Sequence, residues 1–204
     1  KDNSLTEISS LIKGQENKSV NITILRDERS LEKKLITRKI DIPSVESKII
    51  ENNDKKIGYI SISIFALNTD EQFKTKLLQL EESSIDSLII DVRNNVGGHL
   101  STVTNILNLF FTKDEILYQI DRKGKIEKTY GTSTDDRNYK VIVLTNSNSA
   151  SGSEILASAF KEVKNSDIIG TKTFGKGTVQ KLIELENGSM LKITSETWLT
   201  DRKS

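Results

Sequence analysis

Ser151, in the run Asn146-Ser147-Asn148-Ser149-Ala150-Ser151-Gly152-Ser153-Glu154, stands 25 positions before Lys176, in Thr173-Phe174-Gly175-Lys176-Gly177-Thr178-Val179-Gln180. A serine hydroxyl becomes a nucleophile when a base takes its proton. Lysine is such a base where burial among apolar groups, or a neighbouring cation, keeps its amine neutral. The 204-residue chain holds one histidine and no cysteine, so the commoner side-chain machinery of acyl transfer is nearly absent. A Ser-Lys pair needs neither residue.

Two turns share one design, Asp91 to Gly98 and Leu144 to Glu154: a strand ends, small residues follow and a helix begins. In a parallel sheet such turns converge beyond the carboxyl ends of neighbouring strands and frame a cleft. Glycines let a substrate carbonyl approach the backbone, and a helix N-terminus offers N–H donors to a developing oxyanion. A plainer reading stays open for Ser151, because Ser151-Gly152-Ser153-Glu154 also fits a capping box. Lys176 alone equally fits a solvated surface lysine. His99, after Gly98, is better read as a helix-start or surface residue than as a general base.

Gly170 to Thr178 nearly matches the phosphate-cradling G-x-x-x-x-G-K-[ST] loop. It fails because Gly177 replaces the magnesium-binding hydroxyl, and Thr178 to Ile183 reads as a strand where a helix is required. No cofactor and no metal are expected, since a single histidine and no cysteine leave only carboxylates, whose spacings match no calcium loop.

Several elements must position these residues. Ser4-Leu5-Thr6-Glu7 fits a capping box opening an amphipathic helix that Gly14 stops. Val20, Ile22 and Ile24 alternate in a strand that can pair with Leu31 to Ile40 across Arg26-Asp27-Glu28-Arg29. Pro43 begins a polar stretch running to the Glu51 to Lys56 turn, where a module boundary is expected. From there strands alternate with helices, the signature of an α/β fold with a helix-flanked, largely parallel sheet. Ile57 to Phe65 reads as a strand. Thr69 with Gln72 caps a helix with Phe73, Leu77 and Leu80 on one face, and Ser87 to Val92 reads as a strand buried on both faces. Leu100, Val103, Leu107 and Phe110 mark a helix, Arg122 to Lys125 a hairpin turn, and Val141 to Leu144 a strand. A helix follows Ser151, Ile168-Ile169 enters a short strand, and Val179 to Glu186 pairs with Met190 to Leu199 through Asn187-Gly188.

With 35% hydrophobic and 29% charged residues the composition is that of an ordinary globular chain. No apolar run approaches the roughly 20 residues that span a bilayer. A formal net charge of +1, with acids and bases interleaved, argues against nucleic acid as a partner. The absence of cysteine leaves the redox compartment open.

Taken together, Ile89 to Gly98, the Asn146 to Ile155 run and Thr173 to Gln180 resemble three ordered motifs of the carboxyl-terminal processing, or tail-specific, serine peptidases. The resemblance implies a crotonase-like core of strands and helices over residues 43–204. Residues 1–42 look like the second half of a PDZ domain. It further implies a serine endopeptidase that cleaves extended or unfolded polypeptide near its C-terminus; a relative that keeps the fold without turnover is the alternative. Ser151 would be the nucleophile, Lys176 the base and Gln180 the residue orienting the lysine. The N–H groups of Gly152 and of Gly97 or Gly98 would form the oxyanion hole, with Gly97 favoured. Val96 and Gly152 stand where the family commonly has proline and alanine. By likeness alone the protein is expected outside the cytoplasm of a bacterium, acting on protein tails, with self-association open. Lys1-Asp2-Asn3-Ser4 is too polar for a signal peptide, and the strands expected after Asp201 are missing, so the chain is expected to be a fragment.

Overall fold

The computed structural model describes residues 5–38, 43–135, 137–185 and 188–199. The chain divides into two compact units, Lys1–Ile42 and Pro43–Ser204.

In the first unit, helix α1 (Leu5–Ile12) precedes an antiparallel hairpin of β1 (Ser19–Arg26) and β2 (Arg29–Ile36). Asp27 and Glu28 both have positive φ, the geometry of a type I′ turn whose twist matches that of the flanking strands. Ser4 and the last residues of the Leu31 to Ile40 run lie outside the described residues.

The second unit is built on a five-stranded sheet in the order β3-β4-β5-β8-β9. Its strands are β3 (Val45–Asn52), β4 (Lys55–Ile62), β5 (Ser87–Asp91), β8 (Lys140–Thr145) and β9 (Asp167–Gly170). β4, β5, β8 and β9 run parallel, as the alternation of strands and helices requires, and β3 adds an antiparallel edge. The sequence reading missed β3. Its pattern is mostly polar because an edge strand buries little, and Asn53 and Asp54, both at positive φ, turn it directly into β4.

Helices α2 (Thr69–Glu82) and α4 (Gly152–Val163) pack on this sheet, and α3 (Leu100–Leu107) packs against both of them. Ile60, Ile62, Leu88, Ile90 and Val143 from the strands meet Phe73, Leu77, Val103, Ile106, Leu107, Leu156 and Phe160 from the helices in one core. Phe160 makes edge-to-face contacts with Phe110 and Phe111, at centroid distances of 5.2 and 5.1 Å. β5 differs from expectation: Leu88 and Ile90 are buried, but Ile89 is only half-buried, so its two faces are unequally covered. Thr69 and Gln72 differ too. Thr69 is the first helical residue rather than the cap, and both side chains hold Ser44, Thr69 Oγ1 to its hydroxyl at 2.6 Å and Gln72 Oε1 to its N–H at 3.0 Å.

A second, antiparallel sheet has the order β10-β11-β6-β7, from β6 (Ile116–Arg122), β7 (Lys125–Tyr130), β10 (Thr178–Glu184) and β11 (Met190–Leu199). Both hairpins were legible in the sequence. Their union, through Thr197, Trp198 and Leu199 of β11 opposite Asp121, Ile120 and Gln119 of β6, was not. Asn187 of the β10–β11 turn lies outside the described residues. None of the described helices is long and apolar enough to cross a membrane.

Candidate active site

Ser151 sits where β8 gives way to α4, with φ 54° and ψ −111°. A residue bearing a Cβ adopts that conformation at a cost of about 1–3 kcal/mol, so its surroundings must impose it. They do so from both sides. Before it, Ala150 N–H donates to the Asn95 carbonyl at 3.0 Å, and Ser149 Oγ donates to the Val92 carbonyl at 2.8 Å. After it, Ser153 N–H returns to the Ala150 carbonyl at 3.1 Å, and Ser153 Oγ donates to the Asn95 carbonyl at 2.8 Å. Ser151 also occupies the N-cap position of α4, and its N–H donates to Glu154 Oε2 at 2.7 Å. Ser151 and Glu154 thus form the capping box read from the sequence, the Ser151 side chain facing the Glu154 N–H and the Glu154 carboxylate taking the Ser151 N–H, and the same turn presents the serine at the helix N-terminus.

The glycine turn lies against this elbow. Asp91, at its start, is buried and accepts from the Arg93 N–H at 2.9 Å, the Arg93 Nη2 at 2.6 Å and the Tyr59 hydroxyl at 2.6 Å. Burial alone would raise the Asp91 pKa, but the hydrogen bonds from Arg93 and Tyr59 outweigh it and hold the carboxylate below its ordinary value. Asn94 and Asn146 bridge the two turns, with Asn94 N–H on Asn146 Oδ1 and Asn146 Nδ2 on Asn94 Oδ1, each at 2.9 Å. Asn95, wholly buried, is the joint: its Nδ2 donates to the Ile62 carbonyl at 3.0 Å and its own carbonyl receives Ala150 and Ser153.

Gly97, favoured from the sequence as an oxyanion donor, gives its N–H to Asn95 Oδ1 at 2.8 Å. In this structure that amide is therefore engaged within its own turn. Gly97 serves the site by its smallness instead. With φ +100° it presses on the elbow so closely that a Cβ there would stand 2.8 Å from Ser151 Cβ and 3.0 Å from the Gly152 nitrogen. Its lack of a side chain keeps the first amide of α4 uncovered. Gly98 is bridged to Phe65 through its neighbours, since Phe65 N–H donates to the Gly97 carbonyl at 3.0 Å and His99 N–H to the Phe65 carbonyl at 2.8 Å. That bridge uses the Gly97 carbonyl and the His99 N–H, not the N–H of Gly98 itself. His99 is the N-cap residue of α3, the helix-start role expected of it.

The lysine segment, between β9 and β10, is held differently. Lys176 N–H donates to Glu154 Oε2 at 3.0 Å, and the Lys176 carbonyl accepts from Trp198 Nε1 at 2.6 Å. Phe174 N–H donates to the Ser149 carbonyl at 3.0 Å, and Trp198 N–H to the Gly177 carbonyl at 3.1 Å. Lys176 is half-buried; Gln180 is exposed, beside a bulge between Val179 and Gln180 of the kind that re-aims side chains. Thr178–Glu184 is strand β10, so the phosphate-loop likeness fails at the point where a helix is needed.

Glu154 is the residue whose role the sequence reading understated. Buried to 5% exposure, its carboxylate takes Ser151 N–H and Lys176 N–H on Oε2, and Thr173 Oγ1 (2.9 Å) and Gly175 N–H (2.6 Å) on Oε1. A signal was available. A cap uses only part of what a carboxylate can accept, and Glu154 opens the apolar face that continues as Ile155 and Leu156.

Comparison with known proteins places the chain in a family. The model of peptidase family S41 matches residues 56–204. A carboxy-terminal processing protease, CtpB, from Bacillus subtilis (strain 168) is 40% identical over 195 residues, covering 93% of this chain and 40% of that protein. A probable CtpA-like serine protease from Staphylococcus haemolyticus (strain JCSC1435) is 36% identical over 200 residues, 96% of this chain and 39% of its own length. Among solved structures, a photosystem II D1 C-terminal processing protease superposes with a TM-score of 0.70 at 25% identity, over 97% of this chain and 55% of that one. The chain thus spans about two fifths of the length of these curated relatives. With the family model matching most of it and such relatives along nearly all of it, the chain belongs to peptidase family S41.

Proposed function

We propose that this chain carries the catalytic centre of a serine endopeptidase that cleaves extended or unfolded polypeptides near their C-termini. The observation that carries the reading is the union of a strained strand-to-helix serine with the Lys176 backbone on one buried carboxylate. Lys176 Nζ takes the Ser151 hydroxyl proton as Oγ attacks the scissile carbonyl carbon. The resulting oxyanion is met by the N–H groups of Gly152 and Gly98, Gly97 being engaged by Asn95. The lysine then returns the proton to the leaving amine, and water, activated by the same amine, hydrolyses the acyl-enzyme. Gln180 orients the lysine. Substrate adds as an extended strand whose backbone supplies most of the binding.

The first unit we read as the second half of a PDZ-like module, and the protein as working on protein tails outside the cytoplasm of a bacterium. Cleavage of unfolded casein tests the centre: Ser151→Ala and Lys176→Ala should each abolish measurable turnover while leaving the thermal midpoint within a few degrees. Substantial cleavage by Ser151→Ala would end the proposal.

A further inference from the structure

We infer that Glu154 is a positioning residue that assembles the Ser-Lys pair, its carboxylate holding the lysine segment against the serine elbow. The inference rests on the peptidase reading of Ser151 and Lys176 and deepens it.

Three observations carry it. Glu154 is rooted in rigid structure, at the third position of α4 with its neighbours Ser153, Ile155 and Leu156 all buried. Its carboxylate accepts one bond from the elbow, Ser151 N–H, and three from the segment, Thr173 Oγ1, Gly175 N–H and Lys176 N–H. Finally, Thr171 to Gly177 lies in no strand, so the sheet ladders that order β9 and β10 do not reach it. Besides these, Thr171 exchanges bonds with Thr145, its N–H on the Thr145 carbonyl and its carbonyl accepting from Thr145 Oγ1, Phe174 N–H donates to the Ser149 carbonyl, and Trp198 donates to the Lys176 and Gly177 carbonyls. Among the described residues Glu154 alone joins Ser151 and Lys176 through a shared atom, Oε2.

An anion is well suited to this place. The N-terminal turn of a helix favours negative charge, and hydrogen bonds to an ionised acceptor are about twice as strong as neutral ones. Four acceptor directions meet four donors. Glutamine has the same shape but one oxygen. Whichever way its amide turns, its NH2 faces the N–H of Gly175 or of Lys176, so one segment amide always loses its partner.

The test uses three variants of this chain, Glu154→Gln, Lys176→Ala and both together, with two readouts. One is the rate at which a fluorophosphonate labels Ser151; the other is the emission of Trp198, the only tryptophan, which bonds the Lys176 carbonyl. Glu154→Gln should slow labelling by about 10²-fold, the scale of a catalytic group displaced by about 1 Å. It should also shift Trp198 emission to the red as the segment loosens. The double variant should label no more slowly than Lys176→Ala, because a positioning residue adds nothing once the group it positions is gone.

Unchanged labelling and emission in Glu154→Gln overturn the inference, and so does a double variant that is slower by the product of the single effects. Should Glu154→Gln not fold, Thr173→Val removes one donor from the carboxylate and should slow labelling severalfold with the same red shift; no change in either would be equally fatal. Failure of the peptidase reading looks different: Lys176→Ala would then label at the parent rate while Trp198 still reports the Glu154 contact.

Discussion

The serine elbow and the lysine segment are held in place by opposite means. Around Ser151, Ala150, Gly152, Ser153, Glu154, Ile155 and Leu156 are all buried, and the turn is bonded to Val92 and Asn95 of the glycine turn and to its own helix α4. Around Lys176, Phe174 and Gly175 are exposed and the segment hangs from individual hydrogen bonds. The difference teaches that two residues tied to one carboxylate need not share a scaffold. Core packing supplies the free energy to hold a strained residue, whereas a segment held by a few polar contacts opens at much lower cost.

The contrast predicts a dissociation between stability and activity. Phe160→Ala, on the serine side, should cost about 3–5 kcal/mol, since Phe160 is 1% exposed between Phe110 and Phe111. Chemical denaturation would show it, and the fraction that remains folded should turn over normally. Trp198→Phe, on the lysine side, should do the reverse. Losing the indole bond to the Lys176 carbonyl should cost about 1 kcal/mol of stability but about tenfold in turnover. Equal losses of activity in both variants would erase the distinction.

A subtler probe asks whether strain really resides at the elbow. Glycine adopts positive φ freely, so Ser151→Gly should be more stable than Ser151→Ala by about 1 kcal/mol, after allowing for the greater freedom of glycine in the unfolded chain. Both should be inactive. If alanine is the more stable, the elbow stores no strain.

The smallest effect concerns acid. Asp91 beside Arg93 and Tyr59, and Glu115 beside Lys164 and the Thr112 N–H, are both held below their ordinary values although burial opposes this. A depressed folded-state pKa adds stability above the unfolded-state value and loses it as pH falls through the folded value. The thermal midpoint should therefore drop below about pH 4, and Asp91→Asn should flatten that slope. An unaltered slope would separate the glycine turn from the stability of the sheet.

Much of this was legible from residue order alone. Helices α2, α3 and α4 announce themselves by apolar spacing, β5 and β8 by short apolar runs, and the hairpin turns by residues that tolerate positive φ, because each signal is local and set by backbone geometry. Ser151 and Lys176 stood out by chemical type. Edge strand β3 escaped because a strand that buries little carries little pattern. Only the folded molecule decided that β11 joins β6, that Asn95 claims the Gly97 amide, and that Glu154, which reads as a local cap, also reaches a segment some twenty residues on. Hydrogen bonds between distant residues depend on where the sheet and its turns place them, and nothing in local periodicity encodes that distance.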